Sequence, residues 1–192
     1  MTSVRELNQS LPNGTTKDIT ARMSEIKTLL TSIEPDLVGI NRHRYAWPLA
    51  CLEELVEALS FAHYLEHQTL ITYAAAAAAV PANIELTEHD YMFGVFDLFG
   101  ELMRFATVTT AHTGALPGAD GGRSILVDIQ ELGSCFEILP EVPGKGYQGK
   151  MEAMRISVKK VERLGYGLAI RGGERPKGWV PDMKEDVQME DS

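Results

Sequence analysis

The sequence is short of several features that would point directly to a class of function. It contains only two cysteines, Cys51 and Cys135, which do not form a pair with metal-ligand or redox spacing. Both occur in apolar helical patterns, so we predict buried thiols in a reducing compartment. Basic residues are also in deficit, because 18 lysines and arginines stand against 27 aspartates and glutamates. A free-standing nucleic-acid-binding domain normally has a basic face, and the net charge of −9 argues against one.

Long apolar runs are absent as well. The longest, ITYAAAAAAVPA, is rich in alanine and too short to cross a bilayer, so no membrane segment is predicted. The first residues have no apolar stretch behind a basic start, and a signal peptide is therefore not expected. We predict a soluble intracellular protein, located in the cytoplasm, the nucleus or both.

The common catalytic motifs are missing too. The stretch GADGGR matches neither the P-loop nor the dinucleotide fingerprint, and the chain has no G-x-S-x-G elbow and no DNA-specific motif. A di-iron bundle would need Glu-x-x-His motifs, and none occurs. His63 and His67 have the (i, i+4) spacing of a zinc pair but lack the glutamate of H-E-x-x-H, so we interpret them as a packed or surface pair.

What the sequence does have is helical periodicity, with apolar residues recurring at helical spacing and no strand-type alternation. This pattern predicts an all-α fold, an antiparallel bundle of long helices. Thr87 and Asp90 are placed to cap the third helix. We predict a disordered segment over residues 1–15, a single helical domain over 16–180 and an acidic disordered tail over 181–192. The predicted helices run from Thr16 or Asp18 to Pro35, from Pro48 through the alanines to Pro81, from 87 to 111, from 124 to 139 and from 151 to 171.

Carboxylates interrupt the apolar pattern of the second and third helices. On a helical wheel of about 100° per residue, Glu54 and Glu57 lie within about 60° of each other on an apolar arc. Glu53 points to the polar side of the same helix and is interpreted as a surface acid. Asp97 and Glu101 lie about 40° apart on the next helix, again among apolar residues.

Buried carboxylates need a proton, a cationic partner or a metal ion, because burying them alone costs several kcal/mol each. A cluster of oxygen ligands suits Mg²⁺, Mn²⁺ or Ca²⁺. The same spacing is also common on solvated helix faces. Glu85 and Glu88 show it in a predicted turn, where a capping role is expected.

Three segments that include these acids resemble a known family. EELVEALSFAHYL, DYMFGVFDLFGELMRFA and KMEAMRISVKKVERLGYGLAIRG are similar to TRAX-type (translin-associated factor X) members of the translin/TRAX family, and the similarity extends over about residues 20–180. TRAX-type chains carry E-x-x-E followed later by D-x-x-x-E, and both patterns are complete here. The resemblance implies a translin-like fold and a catalytic site at Glu54, Glu57, Asp97 and Glu101 that binds Mg²⁺, with Mn²⁺ as a possible substitute.

The resemblance also implies an activity and partners. It implies an endoribonuclease subunit that acts with translin in a hetero-oligomer, an octameric shell, on small-RNA passenger strands or tRNA-processing fragments. A partner with a basic surface would compensate for the acidity of this chain. Arg104 lies beside the Asp97–Glu101 arc and would either bind the scissile phosphate or balance carboxylate charge. The alternative is a non-catalytic helical scaffold that binds translin-like partners.

Overall fold

A computed structural model of the chain describes residues 7–45, 47–81, 83–119, 123–140 and 145–171. All regular elements in these ranges are helical, which confirms the predicted all-α fold class. None of the helices in these ranges combines the length and the apolar character needed to span a membrane. The predicted tail over 181–192 lies outside the described residues. The α-helices are α1 (Asn13–Ile33), α2 (Ile40–Arg44), α3 (Cys51–His67), α4 (Tyr73–Ala79), α5 (Glu88–Thr113), α6 (Ile125–Glu137) and α7 (Lys145–Arg171).

The chain divides into two compact units, an N-terminal unit (Leu7–Leu98) and a C-terminal unit that contains the described residues from Phe99 onward. The division falls within α5. Each unit has its own set of buried apolar side chains, as expected for helices with one apolar face. In the N-terminal unit this set includes Leu52, Val56, Ala76, Val95 and Phe96. In the C-terminal unit it includes Phe99, Leu102, Ile125, Ile129, Val161 and Leu164.

Helix α1 begins at Asn13, before the predicted start at Thr16 or Asp18, and ends at Ile33. Pro35 then lies in a short 3₁₀ helix, so this proline ends the α-helix as predicted. The N-cap residue is Pro12, and α1 has no side-chain hydrogen bond at its N-cap.

The residues just before α1 lie against the C-terminal end of α3, although residues 1–15 were predicted to be disordered. The Asn8 N–H donates to the Leu65 carbonyl at 3.1 Å, and the Leu11 N–H donates to Glu66 Oε1 at 3.0 Å. Both bonds join residues far apart in sequence. The polar composition of the segment therefore could not reveal them.

Helix α3 stops at His67 and does not continue into the alanines, which corrects the prediction of one long helix. Gln68 has a φ of +51°, and this left-handed conformation ends the helix. Thr72 then starts α4, since its side chain accepts a hydrogen bond from the Ala75 N–H at 3.2 Å. The high helix propensity of alanine therefore acts only within the short helix α4.

Two tyrosines fasten the α4 region to the start of α5. The Tyr91 hydroxyl donates to the Ile71 carbonyl at 2.6 Å, and the Tyr73 hydroxyl donates to the Leu86 carbonyl at 2.5 Å. The two rings meet edge to face with centroids 5.6 Å apart. These contacts fix the connection that carries the chain from α3 to α5.

The start of α5 is capped as predicted. The Asp90 N–H donates to Thr87 Oγ1 at 3.2 Å, and Asp90 Oδ2 accepts the Thr87 N–H at 2.9 Å. Arg42 of α2 is buried beside this cap, forms an ion pair with Asp90 and donates from Nε to the Glu85 carbonyl at 2.9 Å. Asp90 therefore closes the helix end and holds α2 against it.

In the C-terminal unit, α6 and α7 form an antiparallel pair. Arg155 binds Glu137 at 2.6 Å, and Gln130 donates to Glu162 at 2.6 Å. The residue numbers rise along one helix as they fall along the other. This pair matches the predicted antiparallel packing.

Helix α7 begins at Lys145, earlier than the predicted start near residue 151. Tyr147, Met151 and Met154 are buried and follow one another at helical spacing. Their packing extends the helix backward through KGYQGK, whose glycines had predicted a loop.

Candidate metal centre

Helices α3 and α5 come into close contact at Gly94 in the N-terminal unit. A Cβ atom placed on Gly94 would lie 2.6 Å from the Glu53 carbonyl oxygen and 2.6 Å from Val56 Cβ. Such distances are far below van der Waals contact, so only glycine fits without a shift of backbone. The carboxylate-bearing stretches of the two helices are thereby brought side by side.

The two helices run in the same general direction at this contact. Glu53 lies near Asp90 before Gly94, and Glu57 lies near Asp97 after it. Helix α4 lies between α3 and α5 in the chain. Acidic side chains consequently occur on both sides of the glycine contact.

On one side of the contact, three of the predicted site residues come together. Glu54, Glu57 and Asp97 each offer a carboxylate oxygen, and these atoms all lie within 4.8 Å of one another. We call this group the acidic cluster. The cluster contains side chains from both α3 and α5. A helical wheel describes one helix at a time, so it could not establish that these side chains lie close together. The role of its members as metal ligands stays a prediction.

The members of the acidic cluster are less buried than their apolar neighbours predicted. Glu54 is exposed, and Glu57 and Asp97 are half-buried. The wheel had put Glu54 and Glu57 on an apolar arc of α3, but their exposure shows that their charged groups still reach water. Burial of the carboxylates therefore gives less reason to expect a bound cation than the apolar neighbours in the sequence suggested.

Glu101 lies one helical turn beyond Asp97, in the part of α5 that belongs to the C-terminal unit. Its carboxylate forms an ion pair with Arg104 at 2.7 Å, and the Arg104 side chain is 71% exposed. This contact matches the charge-balancing role considered for Arg104. A ligand role for Glu101 and a phosphate-binding role for Arg104 stay predictions.

A second group of ligand-type side chains lies on the other side of Gly94, and the sequence had not indicated it. Glu53, His89 and Asp90 offer ligand atoms that all lie within 4.8 Å of one another. Glu53 was interpreted as a surface acid, but it is half-buried. Ser60 lies on the same arc of α3 and is buried. The arc that carries these polar residues therefore faces the protein interior and not the solvent.

The remaining candidate ligands have ordinary surroundings. The His63 and His67 rings lie 4.5 Å apart, and His63 Nε2 is 3.0 Å from Thr69 Oγ1. Burial, and then the nearby His67, lowers the pKa of His63.

Cys51 and Cys135 are both exposed, which corrects the prediction of buried thiols. They occupy sides of α3 and α6 that face solvent, although their neighbours in sequence are apolar.

We expect Gly94→Ala to lower the free energy of unfolding by about 1–3 kcal/mol, the usual cost of an atom forced into close packing. The added Cβ would meet backbone at the Glu53 carbonyl, which cannot move aside cheaply. Urea denaturation measures the change. Gly100→Ala is the matched control on α5, because nothing lies within 4 Å of a Cβ there. Equal stability of the two variants would contradict the close packing of α3 and α5.

Comparison with known proteins places the sequence of this chain in a family. The sequence profile of the Translin family matches residues 1–172. The chain is 29% identical to the translin-associated protein X homolog of Schizosaccharomyces pombe over 76% of its own length and 62% of that protein. It is 24% identical to translin-associated protein X of Mus musculus, over 85% of this chain and 63% of that protein.

Translin itself is also similar. The Gallus gallus protein is 33% identical over 157 residues, which cover 77% of this chain and 65% of that protein. The chain thus spans a little under two thirds of the length of each of these relatives. With its helical fold and a family match over nearly all of its residues, the chain belongs to the Translin family.

Proposed function

We propose that this chain is a TRAX-type catalytic subunit of a metal-dependent endoribonuclease that hydrolyses RNA phosphodiester bonds together with translin. The observation that carries the proposal is the acidic cluster, in which Glu54, Glu57 and Asp97 bring carboxylate oxygens within 4.8 Å of one another. Similarity to proteins named for their association with translin supports the choice of partner.

The donor set of the acidic cluster fits Mg²⁺, with Mn²⁺ as a substitute. All three ligands are oxygens, the donor type that these hard cations prefer. Mg²⁺ usually binds one or two protein carboxylates and keeps several waters, so the cluster offers enough ligands. When bound, the ion would neutralise phosphodiester charge and lower the pKa of an attacking water.

The residues of the cluster would hold the ion at a place that a polymer can reach. Glu54 is exposed, and Glu57 and Asp97 are half-buried, so the carboxylates face solvent at one edge of the contact between α3 and α5. An enclosed pocket would suit a small molecule better. An open edge suits a phosphodiester backbone that passes along the surface.

The charge of the chain explains why the proposal includes a partner. With a net charge of −9, the chain repels RNA at long range. A translin subunit with basic surface would supply the missing attraction in a hetero-oligomer, for which an octameric shell is the proposed form. Small-RNA passenger strands or tRNA-processing fragments are the proposed substrates, in the cytoplasm, the nucleus or both.

The alternative, a non-catalytic scaffold for translin-like partners, differs in its response to metal. If the acidic cluster binds Mg²⁺, a concentration ten times the dissociation constant adds about 1.4 kcal/mol of stability, or about 3–6 °C in melting temperature. Glu57→Gln is expected to remove most of this gain. Glu85→Gln, which changes an exposed acid outside the cluster, should retain it. A scaffold would melt at the same temperature with and without Mg²⁺.

The activity itself is tested by an RNA cleavage assay with the chain alone, with translin alone and with both. We expect cleavage when the two proteins are combined in Mg²⁺ and loss of cleavage in EDTA. Failure of the combined sample in both Mg²⁺ and Mn²⁺ would favour the scaffold. Cleavage that persists unchanged in EDTA would contradict the metal-dependent mechanism.

A further inference from the structure

We propose that an exposed apolar surface of the N-terminal unit, formed by the end of α1 and the segment that leads into α2, is the contact through which two copies of this chain associate. The exposed large apolar residues of this surface are Leu29, Ile33, Val38, Ile40 and Tyr45, and we call them the apolar patch. All of them belong to the N-terminal unit. The inference concerns the chain without translin and does not rest on the proposed nuclease activity.

The residues of the apolar patch are exposed to an extent that is unusual for large apolar side chains. Val38 and Ile40 have 73% and 78% of their surface exposed, and Leu29 has 68%. Leu29 and Ile33 lie one helical turn apart on α1, so they share a face at its C-terminal end. Leaving this much apolar surface in water is unfavourable, and a partner that covers it removes the cost.

A tight connection presents the two most exposed members of the patch. Val38 follows the short 3₁₀ helix Glu34–Leu37, and Ile40 is the first residue of α2. Gly39 between them has a φ of +63° and a ψ of −128°, a conformation that strongly favours glycine because a Cβ atom would be strained there. The connection therefore holds two branched side chains at the surface.

A hollow lies beside these protruding side chains. It has a volume of about 320 Å³ and is lined by Ile33, Asp36, Leu37, Asn41, Tyr45 and Leu49. Because Leu37 and Asn41 flank the connection in the chain, the hollow and the protruding residues are neighbours. A cavity of about 150 Å³ already accommodates a benzene ring, so the hollow has room for a valine or isoleucine side chain.

The occupant that these features fit is a second copy of the same chain. In a two-fold contact the same surface is used on both sides, so a group that protrudes from one copy needs a matching recess on the other. The apolar patch supplies both, since Ile40 protrudes next to a hollow that can receive Ile40 of the second copy. A partner with a different surface would not require both features in one place.

The size of the apolar patch also fits a contact between two copies. The exposed parts of its five residues amount to roughly 600 Å², near the upper end for the largest apolar patch on a monomeric protein. Counted on both copies, the patch provides about 1,200 Å², the lower end of the range for stable interfaces. A contact of this size predicts reversible pairing.

The charge distribution allows two acidic copies to meet at this surface. Each copy carries a net charge of −9, so two copies repel each other at a distance. Among the residues that line the hollow, Asp36 alone is charged. Association through the patch should therefore become stronger when salt screens the repulsion, whereas binding of a basic partner through ion pairs would become weaker.

The test is sedimentation velocity of the full chain over a range of concentrations, without translin, RNA or Mg²⁺, so that its outcome is independent of the nuclease proposal. We expect paired copies. Ile40→Asp should raise the dissociation constant of the pair at least about 100-fold, because a two-fold contact then contains two charges against apolar surface. If further contacts build the pairs into larger assemblies, the same change should halve their mass.

Ile138→Asp in the C-terminal unit is the matched control, since Ile138 is 83% exposed and takes the same change. It should pair as the unmodified chain does. Circular dichroism establishes that each variant is folded.

Photo-crosslinking provides an independent readout of the contact. A benzophenone side chain in place of Ile40 should yield a covalent pair of chains, with the crosslink on residues that line the hollow, such as Leu37 or Tyr45. Unchanged pairing of folded Ile40→Asp would overturn the inference. Single copies at every concentration would also overturn it, and weaker binding of translin by Ile40→Asp would then assign the patch to that partner.

Discussion

Replacing Asp97 by asparagine is expected to reduce RNA cleavage by at least about 100-fold at limiting Mg²⁺ while the protein stays folded. Asparagine has nearly the same shape as aspartate but lacks its charge. Asp97 is the member of the acidic cluster that α5 contributes, whereas Glu54 and Glu57 come from α3. Its loss would leave the ion held from one helix only. Cleavage rates measured over a range of Mg²⁺ concentrations, with the same translin preparation, quantify the effect.

The acidic cluster acts as a unit if its members hold the same ion. Glu57→Gln should then cause a similar loss, and the double variant with Asp97→Asn should lose little more than either single change. High Mg²⁺ or Mn²⁺ should restore part of the activity of Asp97→Asn. Glu85→Gln, an exposed acid of the same chain, should cleave at the unmodified rate. Wild-type cleavage by folded Asp97→Asn at limiting Mg²⁺ would refute the assignment.

Replacing Arg42 by alanine is expected to lower the free energy of unfolding by about 3–5 kcal/mol. Arg42 and Asp90 form an ion pair whose side chains are only 5% and 6% exposed. Without the guanidinium, the Asp90 carboxylate stays buried without its charge partner, and the Glu85 carbonyl loses its hydrogen-bond donor. Urea denaturation in EDTA measures the change without any contribution from bound metal.

The control for this prediction is Arg44→Ala on the same helix, because Arg44 is exposed. Its effect should be within about 0.5 kcal/mol of zero, as for most surface substitutions. In a double-mutant cycle, removing Arg42 and Asp90 together should cost less than the sum of the single changes. Equal unfolding midpoints for Arg42→Ala and the unmodified chain would contradict a stabilising role for this buried pair.

Local signals were sufficient for part of this structure. Thr87 and Asp90 cap α5 because both halves of the motif lie within one helical turn, so the sequence contains all that the cap needs. The pairing of Glu54 and Glu57 on one arc of α3 is equally local. Wheel geometry predicted it, and the structure adds the approach of Asp97 from α5.

Other features depend on residues far apart in sequence. Gln68 ends α3 in a left-handed conformation, and a run of helix-forming alanines gave no sign of that break. Glu53 was interpreted as a surface acid because its arc carries polar residues, yet Ser60 on that arc is fully buried. The sequence alone does not distinguish a polar residue buried at a contact between helices from one exposed to water. Only the packing of α3 against α5 distinguishes them.

The backward extension of α7 shows the same limit. Glycines at positions 146 and 149 predicted a loop, because glycine lowers helix stability by about 1 kcal/mol per residue. Burial of Tyr147 and Met151 outweighs this cost, since burying one large apolar side chain contributes about 1.5–3 kcal/mol. Tertiary packing thus decides where this helix starts.

The central claim is that Glu54, Glu57 and Asp97 bind one divalent ion. Crystals of the protein soaked in Mn²⁺ and measured at the manganese absorption edge test it most directly, because anomalous scattering locates the ion independently of the protein atoms. We expect an anomalous peak within bonding distance of carboxylate oxygens from both α3 and α5. Mn²⁺ found only elsewhere in the crystal, with this cluster free of anomalous signal at saturating Mn²⁺, would contradict the account.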